Sequence, residues 1–154
     1  MIKIDVYVKD KNWKKYISNP KKYIKSKTKY LNSSVKFIKN KKINFSILLG
    51  GNKEIKALNR KFRGKNKTTD VLSFPFYKFK DIKKLKKKDI YLGDVILNYY
   101  RISEVKKKDF IYKFNELWIH GLLHLIGHKH YKNTDYNKMT RLENKILNKV
   151  QNIK

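Results

Sequence analysis

The stretch that decides the reading of this chain is His120-Gly121-Leu122-Leu123-His124-Leu125-Ile126-Gly127-His128-Lys129-His130. It carries all 4 histidines of a 154-residue protein. A helix turns once in about 3.6 residues, so the imidazoles of His120 and His124 leave one face, one turn apart. Such a pair can grip a single metal ion. Gly127 can end the helix in a left-handed turn and let the chain swing His130 back as a third ligand. In an unbroken helix His128 would lie about 12 Å along the axis from His120, at 1.5 Å per residue, too far to share an ion. His128 is then a neighbour, either a substrate contact or a surface residue. Three neutral nitrogens with no fourth protein ligand describe an open, catalytic site for one Zn2+ better than a closed, structural one.

Outward from the histidines, Phe110 to Ile126 is apolar at Phe110, Ile111, Phe114, Leu117, Trp118, Ile119, Leu122, Leu123, Leu125 and Ile126. A helix apolar nearly all round is a buried, central one. Desolvating three imidazoles there without a shared partner would be costly. After His130, Asn133 to Val150 reads as a closing amphipathic helix through Met139, Leu142, Ile146 and Leu147. Upstream, Ile2, Ile4, Val6 and Val8 alternate with polar neighbours, a first strand. Trp13 to Ile38 is a lysine-rich helical region interrupted near Asn19-Pro20. Ile43 to Leu49 is a second strand closed by Gly50-Gly51, and Asn52 can cap a helix through Ile55, Leu58, Asn59 and Phe62. Val71 to Phe74 is a third strand, ended by Pro75. Lys78 to Asp89, with its Lys83-to-Lys88 run, reads as a solvated loop, with an RNA-gripping arm as the alternative. Ile90 to Asn98 is a fourth strand, and Tyr100 to Lys108 a short helix. Strands interleaved with helices and no repeat or linker give one α/β or α+β domain over residues 1–154, with about four strands.

Composition sets bounds. The hydrophobic fraction is 40% and there is no cysteine, so the chain can bury a core and any metal must use histidine or carboxylate. The net charge of +28 favours a polyanionic partner, most simply nucleic acid. A/T-rich codons can produce the same lysine excess, but attraction to phosphate follows either way. The N-terminal segment lacks the apolar region of a signal peptide, and no run reaches membrane-span length. A cytoplasmic protein with no membrane partner is expected.

The histidine spacing equals that of the metzincin proteases, His-Glu-x-x-His-x-x-Gly-x-x-His, whose glutamate is the general base. This chain has Gly121 there, which argues against a peptidase. A Lewis acid that polarises a phosphoryl oxygen and acidifies water remains, and a phosphodiester suits the cationic surface.

The same motif resembles the signature of the YbeY family of bacterial metallo-endoribonucleases, His-Gly-x-Leu-His-Leu-x-Gly-Tyr-Asp-His. Leu58-Asn59-Arg60-Lys61-Phe62-Arg63-Gly64-Lys65 followed by Thr69-Asp70-Val71-Leu72-Ser73-Phe74-Pro75 is similar to the family's central block. Leu92 to Leu97 and Met139 to Leu147 resemble its next strand and closing helix. The resemblance implies a mixed sheet with helices, one zinc held by His120, His124 and His130, and cleavage of single-stranded RNA. It also implies action in 3′-end maturation of small-subunit ribosomal RNA and in ribosome quality control. The implied partners are ribosomal RNA, the small ribosomal subunit and ribosome-associated proteins. The family's active-site arginine falls on Arg63, whose planar, permanently charged fork suits phosphate oxygens. The chain departs from the signature at His128-Lys129, where the family has Tyr-Asp. Glu116 and Asp94 are candidate replacements for that carboxylate, or purely structural. Two other functions compete with the ribonuclease: a non-catalytic RNA- or ribosome-binding module with a structural metal, and a zinc peptidase or amidase.

Overall fold

The computed structural model describes residues 1–35, 40–82 and 84–152, without the Phe79 side chain. Four strands form one sheet: β1 (Ile2–Val8), β2 (Lys42–Gly50), β3 (Val71–Pro75) and β4 (Asp89–Asn98). Their order is β1-β2-β4-β3. The pairs β1–β2 and β2–β4 are parallel, and β3 runs antiparallel to β4. The sheet is therefore mixed and the fold α+β, as the sequence led us to expect.

The helices are α1 (Pro20–Ser34), α2 (Asn52–Arg63), single-turn α3 (Phe79–Ile82) and α4 (Tyr99–Ile102), α5 (Phe110–Leu125) and α6 (Asn133–Gln151). The expected break at Asn19-Pro20 is a capped start. The Asn19 side chain accepts from Lys22 N–H at 2.9 Å, and Pro20, which has no N–H to leave unpaired, opens α1. Residues 36–38 of the expected helical region, and Lys83 of the lysine run, lie outside the described residues.

Three local expectations change. The segment read as a loop from Lys78 contains α3. The helix expected from Tyr100 to Lys108 begins one residue earlier, capped by Asn98, and ends at Ile102; a separate 3-10 turn covers Lys107–Asp109. The cap of α2 is Gly51, whose N–H donates to Glu54 Oε2 at 2.9 Å. Asn52 instead accepts from the Asn98 side chain at 2.8 Å, tying α2 to the end of β4.

The two sheet faces carry cores of unequal size. Leu48, Leu72 and Ile96 are register partners on adjacent strands, so they share one face, where they meet Ile55 of α2. The other face carries the main core, including Phe45, Ile47, Val95 and Leu97 against α1, α5 and α6. Ten of the sixteen α5 residues are buried, which makes it the central helix. No helix among the described residues is long and apolar enough to cross a membrane.

Candidate metal centre

The end of α5 sets the site. Gly127 takes φ 96, a conformation that L side chains rarely adopt. There Gly127 N–H donates to His124 O at 3.0 Å, and His128 N–H reaches back to Leu123 O at 2.9 Å. These two bonds close a Schellman turn. The turn aims the His128 carbonyl at His124 Nδ1, 2.9 Å away. A carbonyl only accepts, so Nδ1 carries the proton and Nε2 presents its lone pair.

His120 is oriented the same way by a different partner. Its Nδ1 lies 3.2 Å from Glu143 Oε2 on α6. The carboxylate accepts there, leaving His120 Nε2 unprotonated. The two Nε2 atoms stand 3.0 Å apart, and His130 Nε2 is 3.2 Å from that of His124. One nitrogen from each of the three rings lies within 4.8 Å of the others. Ligands about 2.0–2.1 Å from a tetrahedral ion are spaced by about 3.3 Å. With both inner protons turned away, the lone pairs of His120 and His124 face each other. A cation among them satisfies what would otherwise be repulsion, so the donor set fits a metal ion.

His124 is suited to that state electrically. Burial, followed by the nearby His120, pushes its pKa from 6.5 down to about 4; His130 and Arg63 add to the effect, and the His128 carbonyl opposes it. The ring is neutral at neutral pH, as a metal ligand must be.

Arg63 is the last residue of α2 and lines a cavity of about 420 Å³ together with His120, His124, His130 and Lys129. Its Nη2 donates to Ser73 O at 3.3 Å, and its guanidinium lies 5.9 Å from the centre of the Phe74 ring. The β3 strand thus braces the guanidinium beside the histidines, with most of its donors uncommitted. His128 and Lys129 line the same cavity, with Tyr131 at its rim. His128 belongs to the site's wall through its side chain and to its framework through its carbonyl.

Gly121 explains why the protease glutamate is absent. A Cβ there would sit 2.5 Å from Val95 Cγ1 and 3.2 Å from Ser73 Oγ. Position 121 faces the sheet, so α5 can approach β3 and β4 closely only with glycine there.

Of the two roles open to Asp94 and Glu116, both take the structural one. Asp94 accepts from Tyr91 Oη at 2.6 Å and Glu116 pairs with Lys113 at 2.6 Å; neither is bonded to His120, His124 or His130. Glu143 takes that position. A sequence signal existed for it: it falls four residues after Met139 and four before Leu147, on the core-facing stripe of α6, where a carboxylate needs a partner.

Three convergent imidazoles that could hold a metal ion, beside a braced guanidinium on a mixed sheet, are the kind of centre a metal-dependent hydrolase would use. Over residues 7–151 the chain matches the family model described as Endoribonuclease YbeY. It is 46% identical over 149 residues to the endoribonuclease YbeY of Pelagibacter ubique, covering 95% of this chain and 94% of that protein. It is 32% identical over 155 residues to that of Bartonella henselae, covering 97% and 94%. The solution structure of a Thermotoga maritima protein aligns with a TM-score of 0.62 at 25% identity, over 96% of this chain and 89% of that one. The chain belongs to the endoribonuclease YbeY family and is an enzyme, a nuclease among the hydrolases.

Proposed function

We propose that this protein is a zinc-dependent endoribonuclease that cuts single-stranded RNA. Its place is in 3′-end maturation of small-subunit ribosomal RNA and in ribosome quality control, in the cytoplasm. The observation that carries the reading is one cavity lined by His120, His124, His130 and Arg63 together. His120, His124 and His130 would hold the zinc, the metal favoured by an all-nitrogen, three-ligand set. When bound, the ion supplies Lewis-acid polarisation of a phosphoryl oxygen and acidification of water.

The remaining chemistry belongs to the chain. Arg63 forks onto non-bridging phosphate oxygens and offsets the charge that grows on phosphorus in the transition state. Ser73 O and the Phe74 ring keep that fork in place before substrate arrives, so little reorganisation accompanies the reaction. Lys129 adds a second cation to the same wall, and Tyr131, 85% exposed, offers a ring for an unpaired base. The net charge of +28 supplies general attraction to RNA and to the small ribosomal subunit, the expected partners.

The test is cleavage of single-stranded RNA by the purified, zinc-loaded protein, with chelator and His120→Ala as controls. Cleavage should vanish in both while the folded variant still binds RNA. A variant that cleaves as well as the parent sinks the reading. Parallel assays on casein, and RNA binding without cleavage by the parent, decide for the peptidase or the binding module respectively.

A further inference from the structure

The histidines form a wall between two cavities. His120, His130, Asp70 and Val71 line both. The cavity beyond them, about 350 Å³, lies between α5 and α6 and contains neither Arg63 nor Lys129. Its charge is of the other kind. Glu116 and Glu143 face it with Asp70, and its one cation, Lys113, is paired to Glu116 at 2.6 Å. A phosphate would meet carboxylates there and is disfavoured.

The rest of the lining suits a flat, hydrogen-bonding ring. Leu117 and the buried Met139 give an apolar floor. Tyr136, Thr140 and Asn144 follow one another every four residues on α6, so they share one face of that helix. Tyr136 is 56% exposed at the rim. An unpaired base presents a face for stacking and an edge for hydrogen bonds, and proteins that grip single strands use this pairing of aromatic ring and polar side chain.

We infer that the α5–α6 cavity is a nucleobase pocket for the nucleotide next to the scissile phosphate, and that it favours bases carrying an amino group. A strand crossing the histidines puts its phosphate on the Arg63 side and turns one adjoining base into this cavity, stacked on Tyr136. Carboxylates only accept, so Glu116 selects the exocyclic amines of adenine, cytosine or guanine. Uracil has none. Asn144 and Thr140 read the remaining edge atoms. The ligand class rests on the endoribonuclease reading; the cavity's dependence on its own residues does not.

Two measurements on the full-length, zinc-loaded protein test this. In the first, a pool of random-sequence single-stranded RNA is digested and the cut sites are sequenced. Uracil should be depleted at one position flanking the cut. Glu116→Gln and Asn144→Leu should flatten that bias at that position alone, with zinc content unchanged. In the second, AMP, CMP, GMP and UMP are titrated separately and followed by NMR. The amino-bearing three should bind more tightly than UMP, and Tyr136→Ala should weaken them about fivefold or more. If the parent cuts RNA but the variants keep its base bias and nucleotide affinities, the pocket is wrong and the nuclease stands. If the parent cuts no RNA while the titrations behave as stated, the pocket stands and the nuclease reading falls. Equal binding of all four nucleotides, unaltered by Tyr136→Ala, overturns the inference whatever the cleavage result.

Discussion

Glu143 Oε2 on α6 lies 3.2 Å from His120 Nδ1 on α5, so the closing helix of the chain sets the tautomer of the first histidine in the motif. The contact is largely shielded, the Glu143 side chain being 15% exposed. Carboxylates behind a ligating imidazole fix the ring and raise its basicity, and their loss typically weakens metal binding 10–100-fold. Glu143→Ala is expected to weaken zinc binding by about that factor, and Glu143→Gln, which keeps an acceptor, by less. Competition with a chromophoric chelator reads the affinity, and circular dichroism checks the fold. Equal affinity in Glu143→Ala and the parent would remove the role assigned to Glu143.

Gly121 tests the close approach of α5 to the sheet. A Cβ at 2.5 Å from Val95 Cγ1 forces the strand or the helix to move, and overpacking of this kind costs roughly 1–3 kcal/mol. Alanine recovers up to about 1 kcal/mol of that through helix propensity, so Gly121→Ala is the mild variant. Gly121→Glu restores the protease pattern on paper but drives a carboxylate into Val95 and Ser73. It is expected to lose more than about 3 kcal/mol in urea unfolding, or fail to fold, and to acquire no peptidase activity. A stable, casein-cleaving Gly121→Glu would show that position 121 can reach the metal.

The parts of this fold that were readable in sequence are those where one local pattern decides the outcome. The alternation from Ile2 to Val8 had only one sensible period, and the apolar girdle of Phe110 to Leu125 had only one sensible location. The offset of His130 from Gly127 was readable because a positive-φ glycine both ends a helix and redirects the chain. What escaped were contacts between distant segments. Glu143 meets His120 across 23 positions and Asn52 meets Asn98 across 46, and no local period encodes either. Glu116 sits one turn before His120 on the same helix, yet its carboxylate pairs with Lys113 and not with the imidazole. The antiparallel placement of β3 depends on the route of the chain between Pro75 and Asp89, where composition carried only a charge signal.

Arg63 separates charge from shape. Lysine keeps the positive charge but loses the planar fork held by Ser73 O and the Phe74 ring. Arg63→Lys should lower kcat about a hundredfold, in line with losing one donor to a developing oxyanion, and leave zinc affinity unchanged. A lysine variant with full kcat would reduce the role of Arg63 to general electrostatics.

Lys129 occupies the motif position where the family signature has aspartate, and it faces the same cavity as Arg63. If it meets a backbone phosphate, Lys129→Gln should reduce the magnitude of the slope of log affinity against log salt by about 0.7, the value for one phosphate contact on a single strand. Fluorescence anisotropy with a labelled single-stranded RNA across a salt series measures it. An unaltered slope would place Lys129 off the RNA path.

The pH response of the metal-free protein follows from His124. Its folded-state pKa is about 4 against 6.5 for the free side chain. Between these values the unfolded chain binds a proton that the folded chain refuses, so stability falls as pH falls. The contribution is fully present above about 6.5, is lost progressively toward about 4, and declines no further below that. Carboxylates titrate in part of the same window, so the signature is a difference. Chelator-treated parent protein should lose Tm from pH 7 to pH 4.5 more steeply than His124→Gln, which carries no titrating ring at that position. Parallel slopes for the two proteins would mean that burial does not hold His124 neutral. Zinc should raise the parent's Tm near neutral pH but steepen its loss as pH falls, since ligation holds the donor nitrogens unprotonated in the folded state while the unfolded chain takes up protons.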